Sequence, residues 1–225
     1  HEQLHWAAGA RLPIVMCCVN RGVAAPWTIW NDQQDSIAQR DTGWIQLYCE
    51  NNQDIYDTII QAYKIAEKLY IPVMVCYDGF VLSHRGMPVI INSKAEINSF
   101  LGAYKPAFDL TDINNPINAL PVVLPDQRAD INNELQNGYL EFRKQLAEDL
   151  NNAFSTIEQI DVEFNEIFGR NCQALFKTYN TANAKHFVVT LGALGAEMRC
   201  AADLLKTEHN LNIGVINIRC FRPFP

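Results

Sequence analysis

The chain has 225 residues, of which 48% are hydrophobic and 19% are charged, and its formal net charge is −7. This composition is typical of a globular protein with one large domain or two modest ones, and it excludes a disordered chain. The acidic balance argues against a general binder of nucleic acid or anionic membranes, and no apolar run approaches the roughly 18 residues of a membrane span.

The first 90 residues predict alternating helices and strands. Residues 2–11 have helical spacing, and residues 14–19 form a continuous apolar run that is typical of a strand buried on both faces of a parallel sheet. A long polar and aromatic loop to about residue 43 follows, and then come a strand at 44–49, an amphipathic helix at 53–69 and a buried strand at 71–77. This order predicts an α/β unit with a parallel sheet.

The second half of the chain has a different character. Residues 91–127 are rich in Asn, Pro and Asp and carry a short predicted helix at 94–101, and residues 128–168 read as one long helix that stops at Gly169. A strand at 186–191, a helix at 193–206 and a strand at 213–218 then predict one βαβ unit, which begins a second α/β domain.

The cysteines and the chain ends bear on the setting of the protein. Seven cysteines are an odd number and most lie in apolar runs, so we expect a reducing, cytoplasmic compartment without a disulfide framework. No C-x-x-C pair occurs, so we expect no iron–sulfur cluster or structural zinc held by this chain alone. The chain opens on a helix pattern without an initiator methionine and stops just after a strand, so we expect a piece of a longer protein.

Two short motifs resemble a zinc site and a phosphate-binding turn, and each is a weak indication of such a site. Residues 1–5 (HEQLH) match H-E-x-x-H, which on a helix places two imidazoles on one face for zinc, but Pro13 leads into a buried strand rather than to a third ligand. We therefore predict no metal site. Residues 192–195 (GALG) follow a strand and open a helix, as a phosphate-binding turn does, but this spacing equally serves close packing of a helix on a strand.

The loop after the first strand is the richest candidate for a binding site. It leaves the carboxyl end of a parallel strand, where α/β proteins place their ligands. Arg21 offers a planar, permanently charged fork for a carboxylate or phosphate, and Asn31, Asp32 and Asp35 supply further donors and acceptors. The alternative is a surface arginine paired with Asp32 or Asp35.

A second segment, at residues 78–84, leaves the next buried strand in the same way. Asp78 could cap a turn or join the site, and His84 could act as a base or be a structural or solvent-facing histidine. No Ser–His–Asp or Cys–His arrangement can be assembled from the sequence.

Several segments resemble a known family when they are taken in order. They are residues 12–16 (LPIVM), 19–22 (VNRG), 29–36 (IWNDQQDS), 40–46 (RDTGWIQ), 48–53 (YCENNQ), 78–84 (DGFVLSH) and 222–225 (RPFP). As a set they are similar to the alpha subunits of pyruvate:ferredoxin oxidoreductases, within the 2-oxoacid:ferredoxin oxidoreductase family. The resemblance is strongest over residues 10–90 and weaker over 91–180.

The resemblance implies an α/β fold with two partial domains. Residues 1–90 would form part of the pyrimidine-binding domain of a thiamine diphosphate enzyme, with a parallel sheet. Residues 91–182 would be a linking segment with a long helix, and residues 183–225 would begin a transketolase-C-terminal-like α/β domain.

The resemblance also implies a reaction and a set of partners. The enzyme would oxidatively and reversibly decarboxylate pyruvate to acetyl-CoA and CO2, with coenzyme A as a substrate and ferredoxin or flavodoxin as the electron carrier. Thiamine diphosphate with Mg²⁺ would be bound with its diphosphate end on a partner subunit. The [4Fe-4S] clusters would also lie on partner chains, of the beta, gamma or delta type, and no nucleic acid or membrane would be involved.

The family's residues transfer to one position of this sequence. Arg21 matches the arginine that pairs with the substrate carboxylate, whereas the glutamate that activates the aminopyrimidine and the threonine that assists substrate binding would lie before residue 1. Asn31, Asp32 and Asp35 stay possible cofactor contacts. The alternatives are the same chemistry on oxalate, 2-oxoglutarate or a branched-chain 2-oxoacid, or a non-catalytic assembly module that keeps the fold.

Overall fold

The computed structural model describes residues 1–106 and 139–225, and side chains from residue 143 in the second range. Within these ranges the helices are α1 (Glu2–Gly9), α2 (Gln34–Ile37), α3 (Asn52–Leu69), α4 (Lys94–Leu101), α5 (Tyr139–Asn151), α6 (Ala153–Phe168) and α7 (Leu194–His209). The strands are β1 (Val15–Asn20), β2 (Ile45–Tyr48), β3 (Val73–Asp78), β4 (Phe176–Tyr179), β5 (His186–Leu191), β6 (Ile213–Ile218) and β7 (Cys220–Arg222).

The first sheet has the strand order β1-β3-β2-β7. The strands β1, β3 and β2 are parallel, which confirms the predicted parallel sheet, and β7 joins antiparallel to β2. The central strands β2 and β3 are almost entirely buried. The expectation that the first strand is buried on both faces is wrong for the described chain, because β1 is an edge strand and Cys17 in its middle is exposed.

Helix α3 packs on this sheet and has clear termini. The side chain of Asn51 accepts a hydrogen bond from the Asp54 amide at the start of the helix, and Tyr70 ends it in the left-handed conformation. Its apolar face meets α6, so that Ile65, Ile157 and Phe164 belong to one core cluster with β2 and β3.

The long helix predicted over residues 128–168 is two helices in the described chain, and residues 128–138 lie outside the described ranges. Helix α5 ends at Asn151 and α6 begins at Ala153. The break falls at two asparagines, whose side chains compete with the helical backbone for hydrogen bonds. Gly169 has φ +65° and ends α6, which confirms the predicted stop.

The second sheet has the order β4-β6-β5 and contains the predicted βαβ unit. Strands β5 and β6 are parallel and are joined by α7, whereas β4 adds antiparallel to β6 and was not predicted. Cys172 and Ala174 just before β4, and Cys220 in β7, are buried in the core of the first sheet. The two sheets therefore pack around shared apolar residues.

None of the helices in the described part of the chain is long and apolar enough to span a membrane.

Candidate functional site

Three buried polar side chains mark the carboxyl end of the parallel sheet. Asn20 is the last residue of β1, Asp78 is the last residue of β3, and Glu50 follows β2. Each is at most 6% exposed, so each needs partners inside the protein. In parallel α/β sheets this end is where ligands bind.

Asn20 positions the short helix α2 above this end. Its Oδ1 accepts a hydrogen bond from the Ser36 amide at 3.0 Å, and the Ser36 hydroxyl lies 2.5 Å from the Tyr48 hydroxyl. The side-chain amide of Gln46 donates to the Ser36 backbone carbonyl at 2.7 Å. Burial raises the pKa of the Tyr48 hydroxyl, so the phenol stays neutral. These bonds attach the loop after β1 to the end of β1 and to β2.

Arg21 lies at the start of that loop, and its side chain is exposed. Its backbone amide donates to Asp35 Oδ2 at 2.6 Å, while the residue itself is exposed. Over residues 1–106 and 139–225 the guanidinium forms no hydrogen bond or salt bridge. The alternative that Arg21 is paired with Asp32 or Asp35 therefore does not describe this structure. The guanidinium is a cation available to an anionic ligand.

The other predicted loop residues are used differently. Asp32 Oδ1 accepts from the Gln34 amide at 2.9 Å, and Asp35 holds the Arg21 backbone, so both carboxylates fold the loop. Asn31 is exposed. Their role as cofactor contacts stays a prediction.

Gly79 is a site residue that the sequence analysis did not single out. Its amide donates to the Asn20 carbonyl at 2.8 Å. A Cβ at this position would clash with that carbonyl oxygen and would lie 2.6 Å from Arg21 Cγ. Glycine therefore allows the loop after β3 to pass directly beside Arg21. In the sequence, Gly79 is recognisable as a glycine that directly follows the aspartate at the end of a strand. Such a glycine indicates a close backbone approach only when the neighbouring strand is known.

We expect Gly79→Ala to displace Arg21 and to cost about 1–3 kcal/mol of stability, as overpacking does. The matched control is Gly86→Ala, because a Cβ on Gly86 would meet nothing within 4 Å. Thermal unfolding of both variants measures the loss of stability, and a structure of Gly79→Ala shows whether Arg21 moves. If the two variants behave alike, the close approach of Gly79 to Arg21 does not matter.

Asp78 joins the loop to the second α/β unit. Its carboxylate accepts a hydrogen bond from the Gln33 side-chain amide and another from the Ala193 backbone amide, at the start of α7. Burial raises the pKa of Asp78, and these two donors oppose the rise. The amide that a phosphate-binding turn would offer is thus bonded to a carboxylate of the chain itself. A Cβ on Gly195 would clash with the Asn217 side chain, so this glycine serves close packing of the helix on β6.

His84 lies in an aromatic stack on the surface. Its ring is stacked on Phe80, with centroids 5.1 Å apart, and Trp30 meets Phe80 edge to face at 4.5 Å. His84 is exposed, which matches the structural or solvent-facing alternative. The stack links the loop after β3 to the loop after β1.

Glu50 is the centre of a buried ion cluster that sequence reasoning missed. It accepts hydrogen bonds from Arg199 at 2.8 and 3.1 Å, from Lys177 at 3.2 Å and from Asn217 at 3.0 Å. Burial alone would raise the pKa of Glu50, but Arg199 and Lys177 hold it below its ordinary value. Because its partners lie on β4, α7 and β6, Glu50 fixes the second sheet against the end of β2.

The sequence of the region with this parallel sheet and polar loop matches a known protein family. Residues 1–151 match the family described as pyruvate flavodoxin/ferredoxin oxidoreductase, thiamine diphosphate-binding. The chain belongs to this family, which confirms the predicted family and fold class.

The chain is similar over its whole length to subunits of two kinds of oxidoreductase. The chain is 45% identical to pyruvate synthase subunit PorA of Methanocaldococcus jannaschii, over all of this chain and 56% of that protein. It is 42% identical to ketoisovalerate oxidoreductase subunit VorA of Pyrococcus horikoshii, over all of this chain and 54% of that protein. The chain therefore spans a little over half the length of these relatives.

A solved structure shares the fold. The 2-oxoglutarate:ferredoxin oxidoreductase from Magnetococcus marinus, with 2-oxoglutarate, coenzyme A and succinyl-CoA bound, aligns with a TM-score of 0.60. The alignment covers 99% of this chain and 40% of that chain, at 15% sequence identity. At this identity the likeness describes the fold alone.

Proposed function

We propose that this chain is part of the catalytic subunit of a thiamine diphosphate-dependent oxidoreductase that converts pyruvate and coenzyme A reversibly to acetyl-CoA and CO2. Membership of the family and the 45% identity to a pyruvate synthase subunit support this reaction. The single structural observation that carries it is the exposed guanidinium of Arg21 at the carboxyl end of the parallel sheet, which has no hydrogen-bond or ion-pair partner among the described residues.

Arg21 binds the substrate carboxylate in this proposal. Because the exposed guanidinium has no hydrogen bond or ion pair with the part of the chain that the structure describes, it gives up none of these when it forms a charge-assisted pair with a carboxylate, which is frequently bidentate. The pair fixes the direction in which the 2-oxoacid presents its carbonyl carbon, so part of the entropic barrier is met on binding. The Arg21 amide donates to Asp35 and the Asn20 carbonyl accepts from the Gly79 amide, so the peptide group that precedes Arg21 is held at both its polar atoms.

The residues at this end of the sheet fit a polar ligand such as the aminopyrimidine of thiamine. Within the described chain, Asn20 Nδ2 and Gln33 Oε1 are buried and have no hydrogen-bond partner. They offer one donor and one acceptor beside the loop, and buried groups of this kind need partners. Thiamine diphosphate supplies the stabilised carbanion chemistry of 2-oxoacid decarboxylation when it is bound.

Partner chains supply the remaining parts in this proposal. They hold the diphosphate end with Mg²⁺ and carry the [4Fe-4S] clusters that pass electrons singly to ferredoxin or flavodoxin. The relatives are named as subunits, which supports a hetero-oligomer. Seven free cysteines, four of them buried, are consistent with a cytoplasmic assembly.

A branched-chain 2-oxoacid is the second candidate substrate. The 42% identity to a ketoisovalerate oxidoreductase subunit favours it over oxalate and 2-oxoglutarate. Both candidates carry one carboxylate and one 2-oxo group, so Arg21 would bind them alike, and they would differ in the pocket around the side chain.

A substrate panel tests the proposed function. The intact assembly would be given pyruvate, 2-oxoisovalerate or 2-oxoglutarate with coenzyme A, and the reduction of a low-potential dye would be followed. Oxalate would be given with and without coenzyme A, because its oxidation yields only CO2 and leaves no acyl group to transfer. We expect the highest kcat/KM with pyruvate, and no reduction with pyruvate when coenzyme A is omitted. A preference for 2-oxoisovalerate would select the second candidate, and no activity with any acid would favour an assembly module.

A further inference from the structure

Three potential metal ligands lie together at the start of the described chain. The ligand atoms of His1, His5 and Asp41 are all within 4.8 Å of one another. His1 Nε2 is 3.9 Å from Asp41 Oδ1, and the two imidazole rings meet edge to face with centroids 4.8 Å apart. Among the described residues this is the one group of three or more such side chains close enough to hold an ion.

The spacing along the chain explains why the histidines meet. His5 lies in α1 and His1 caps its first turn, so the two are four residues apart and share one face of the helix. The sequence analysis set the H-E-x-x-H motif aside because no third ligand follows the helix. Asp41 is a third group of the right chemistry, and it comes from the segment between α2 and β2.

Contacts on either side of Asp41 hold it against α1. The Trp44 indole nitrogen donates to the Leu4 carbonyl at 2.8 Å, and the Thr42 hydroxyl donates to the Gln39 carbonyl at 2.7 Å. Gly43 has φ +87°, and a Cβ there would lie 3.1 Å from Ala8 Cβ, so the backbone passes close to the helix. The position of Asp41 relative to the histidines is therefore set by the fold rather than by a mobile loop tip.

We propose that His1, His5 and Asp41 form a binding site for a borderline divalent transition-metal ion of the zinc class. Two imidazole nitrogens and one carboxylate oxygen are a ligand set for Zn²⁺ and Co²⁺, and they leave a position for water. A tetrahedral site with bonds of about 2.0–2.1 Å needs ligand atoms roughly 3.3 Å apart. The side chains of His1 and Asp41 are 57% and 71% exposed, so rotation about their side-chain bonds can close the present gap.

This site does not depend on the proposed function. It uses none of the residues assigned to the substrate or to thiamine. An ion here would join α1 to the segment before β2, so binding would resist separation of these two elements.

Cobalt titration of the full-length subunit, freed of metal, tests the site. We expect one equivalent of Co²⁺ to give the visible absorption of a tetrahedral nitrogen and oxygen site, and Zn²⁺ to displace it and raise the melting temperature. His5→Ala and Asp41→Asn should each weaken binding at least tenfold and abolish the rise in melting temperature. His209→Ala is the matched control, because His209 is an exposed histidine paired with a single carboxylate, that of Glu208.

The design separates this site from adventitious binding to thiols. Cys17 and Cys200 are exposed and could take the ion, and a cobalt complex with cysteine shows a thiolate charge-transfer band. Such a band with equal binding by wild type and His5→Ala would overturn the proposal. Absence of binding by the wild-type subunit would do the same. Asp41→Asn keeps the shape of the side chain, so it tests the ligand role even if His5→Ala disturbs the helix.

Discussion

Replacing Arg21 with alanine should lower kcat/KM for pyruvate roughly 30- to 150-fold, mainly through a higher KM. In the proposed function, the substitution removes a charge-assisted hydrogen-bonding partner of the substrate carboxylate, which is worth about 2–3 kcal/mol. The guanidinium has no hydrogen bond or ion pair in residues 1–106 or 139–225, so its loss should leave the fold intact. Steady-state kinetics of the intact assembly, with pyruvate varied at saturating coenzyme A, measure the effect.

Two variants make the result specific. Arg40→Ala is the matched control, since Arg40 is an exposed arginine of the same loop. Within the described ranges its side chain bonds only the Ile37 carbonyl, three residues back. We expect its kcat/KM to stay within twofold of wild type. Arg21→Lys should restore part of the activity, because an ammonium keeps the charge but not the planar fork. Equal kinetics for Arg21→Ala and Arg40→Ala would remove Arg21 from the site.

Replacing Glu50 with alanine should give the largest loss of stability among the changes considered, about 3–5 kcal/mol. Among the described residues, the substitution leaves Arg199 without a carboxylate partner and leaves Lys177 with Asp54 alone, at 2.9 Å. The side chains of Lys177 and Arg199 are only 13% and 29% exposed. Removing one partner of a buried ion pair costs more than the pair contributes, because the remaining charge stays desolvated. Thermal unfolding should shift by roughly 6–20 °C, at about 2–4 °C per kcal/mol for a domain of this size.

An exposed ion pair provides the control for Glu50. Glu148 faces Lys144 one helical turn away in α5, at 3.9 Å, with both side chains 59% exposed. Glu148→Ala should change the free energy of unfolding by less than about 0.5 kcal/mol. A loss below about 1 kcal/mol for Glu50→Ala would contradict the view that this cluster fixes the two sheets together.

We expect the stability that Glu50 contributes to be lost at acid pH. The pKa of Glu50 is held below its ordinary value by Arg199 and Lys177, so ionised Glu50 stabilises the fold above about pH 4.3, the ordinary pKa of glutamate. This contribution is lost as the pH falls through the lower, folded-state pKa. Glu50→Gln should therefore make the fall in melting temperature on acidification shallower than in wild type. Parallel curves would assign the acid sensitivity to other groups.

The strongest elements of the fold could be predicted because their signals are local. The apolar run before Tyr77 and the helical stripe with Ile55 and Ile65 gave β3 and α3, and Gly169 gave the end of α6. Strands β4 and β7 were missed. The three residues of β7 are too few to show a period, and Lys177 and Thr178 interrupt the apolar residues of β4. The edge position of β1 could not be read either, because a continuous apolar run does not say how many neighbours a strand has.

The site could be predicted in part for the same reason. The position of Arg21 after a parallel strand, together with the family motif, marks it in the sequence. The sequence could not show that the Arg21 guanidinium has no hydrogen bond or ion pair with the described residues, because this depends on how the chain folds. Asp78 accepts a hydrogen bond from Ala193, 115 positions away, and Glu50 accepts one from Arg199, 149 positions away. No local sequence pattern predicts contacts between residues so far apart. The possible cofactor contacts of Asn31, Asp32 and Asp35 stay a prediction, and the sequence did not show that Asp32 and Asp35 also accept hydrogen bonds from the backbone of the loop.

The most direct test is a structure of the intact assembly with thiamine diphosphate and pyruvate bound before turnover. We predict that both terminal nitrogens of the Arg21 guanidinium lie about 2.7–2.9 Å from the pyruvate carboxylate, at the carboxyl end of the sheet formed by β1, β3 and β2. A pyruvate carboxylate bound by another cation, with Arg21 turned to solvent, would contradict the assignment of this loop to the substrate.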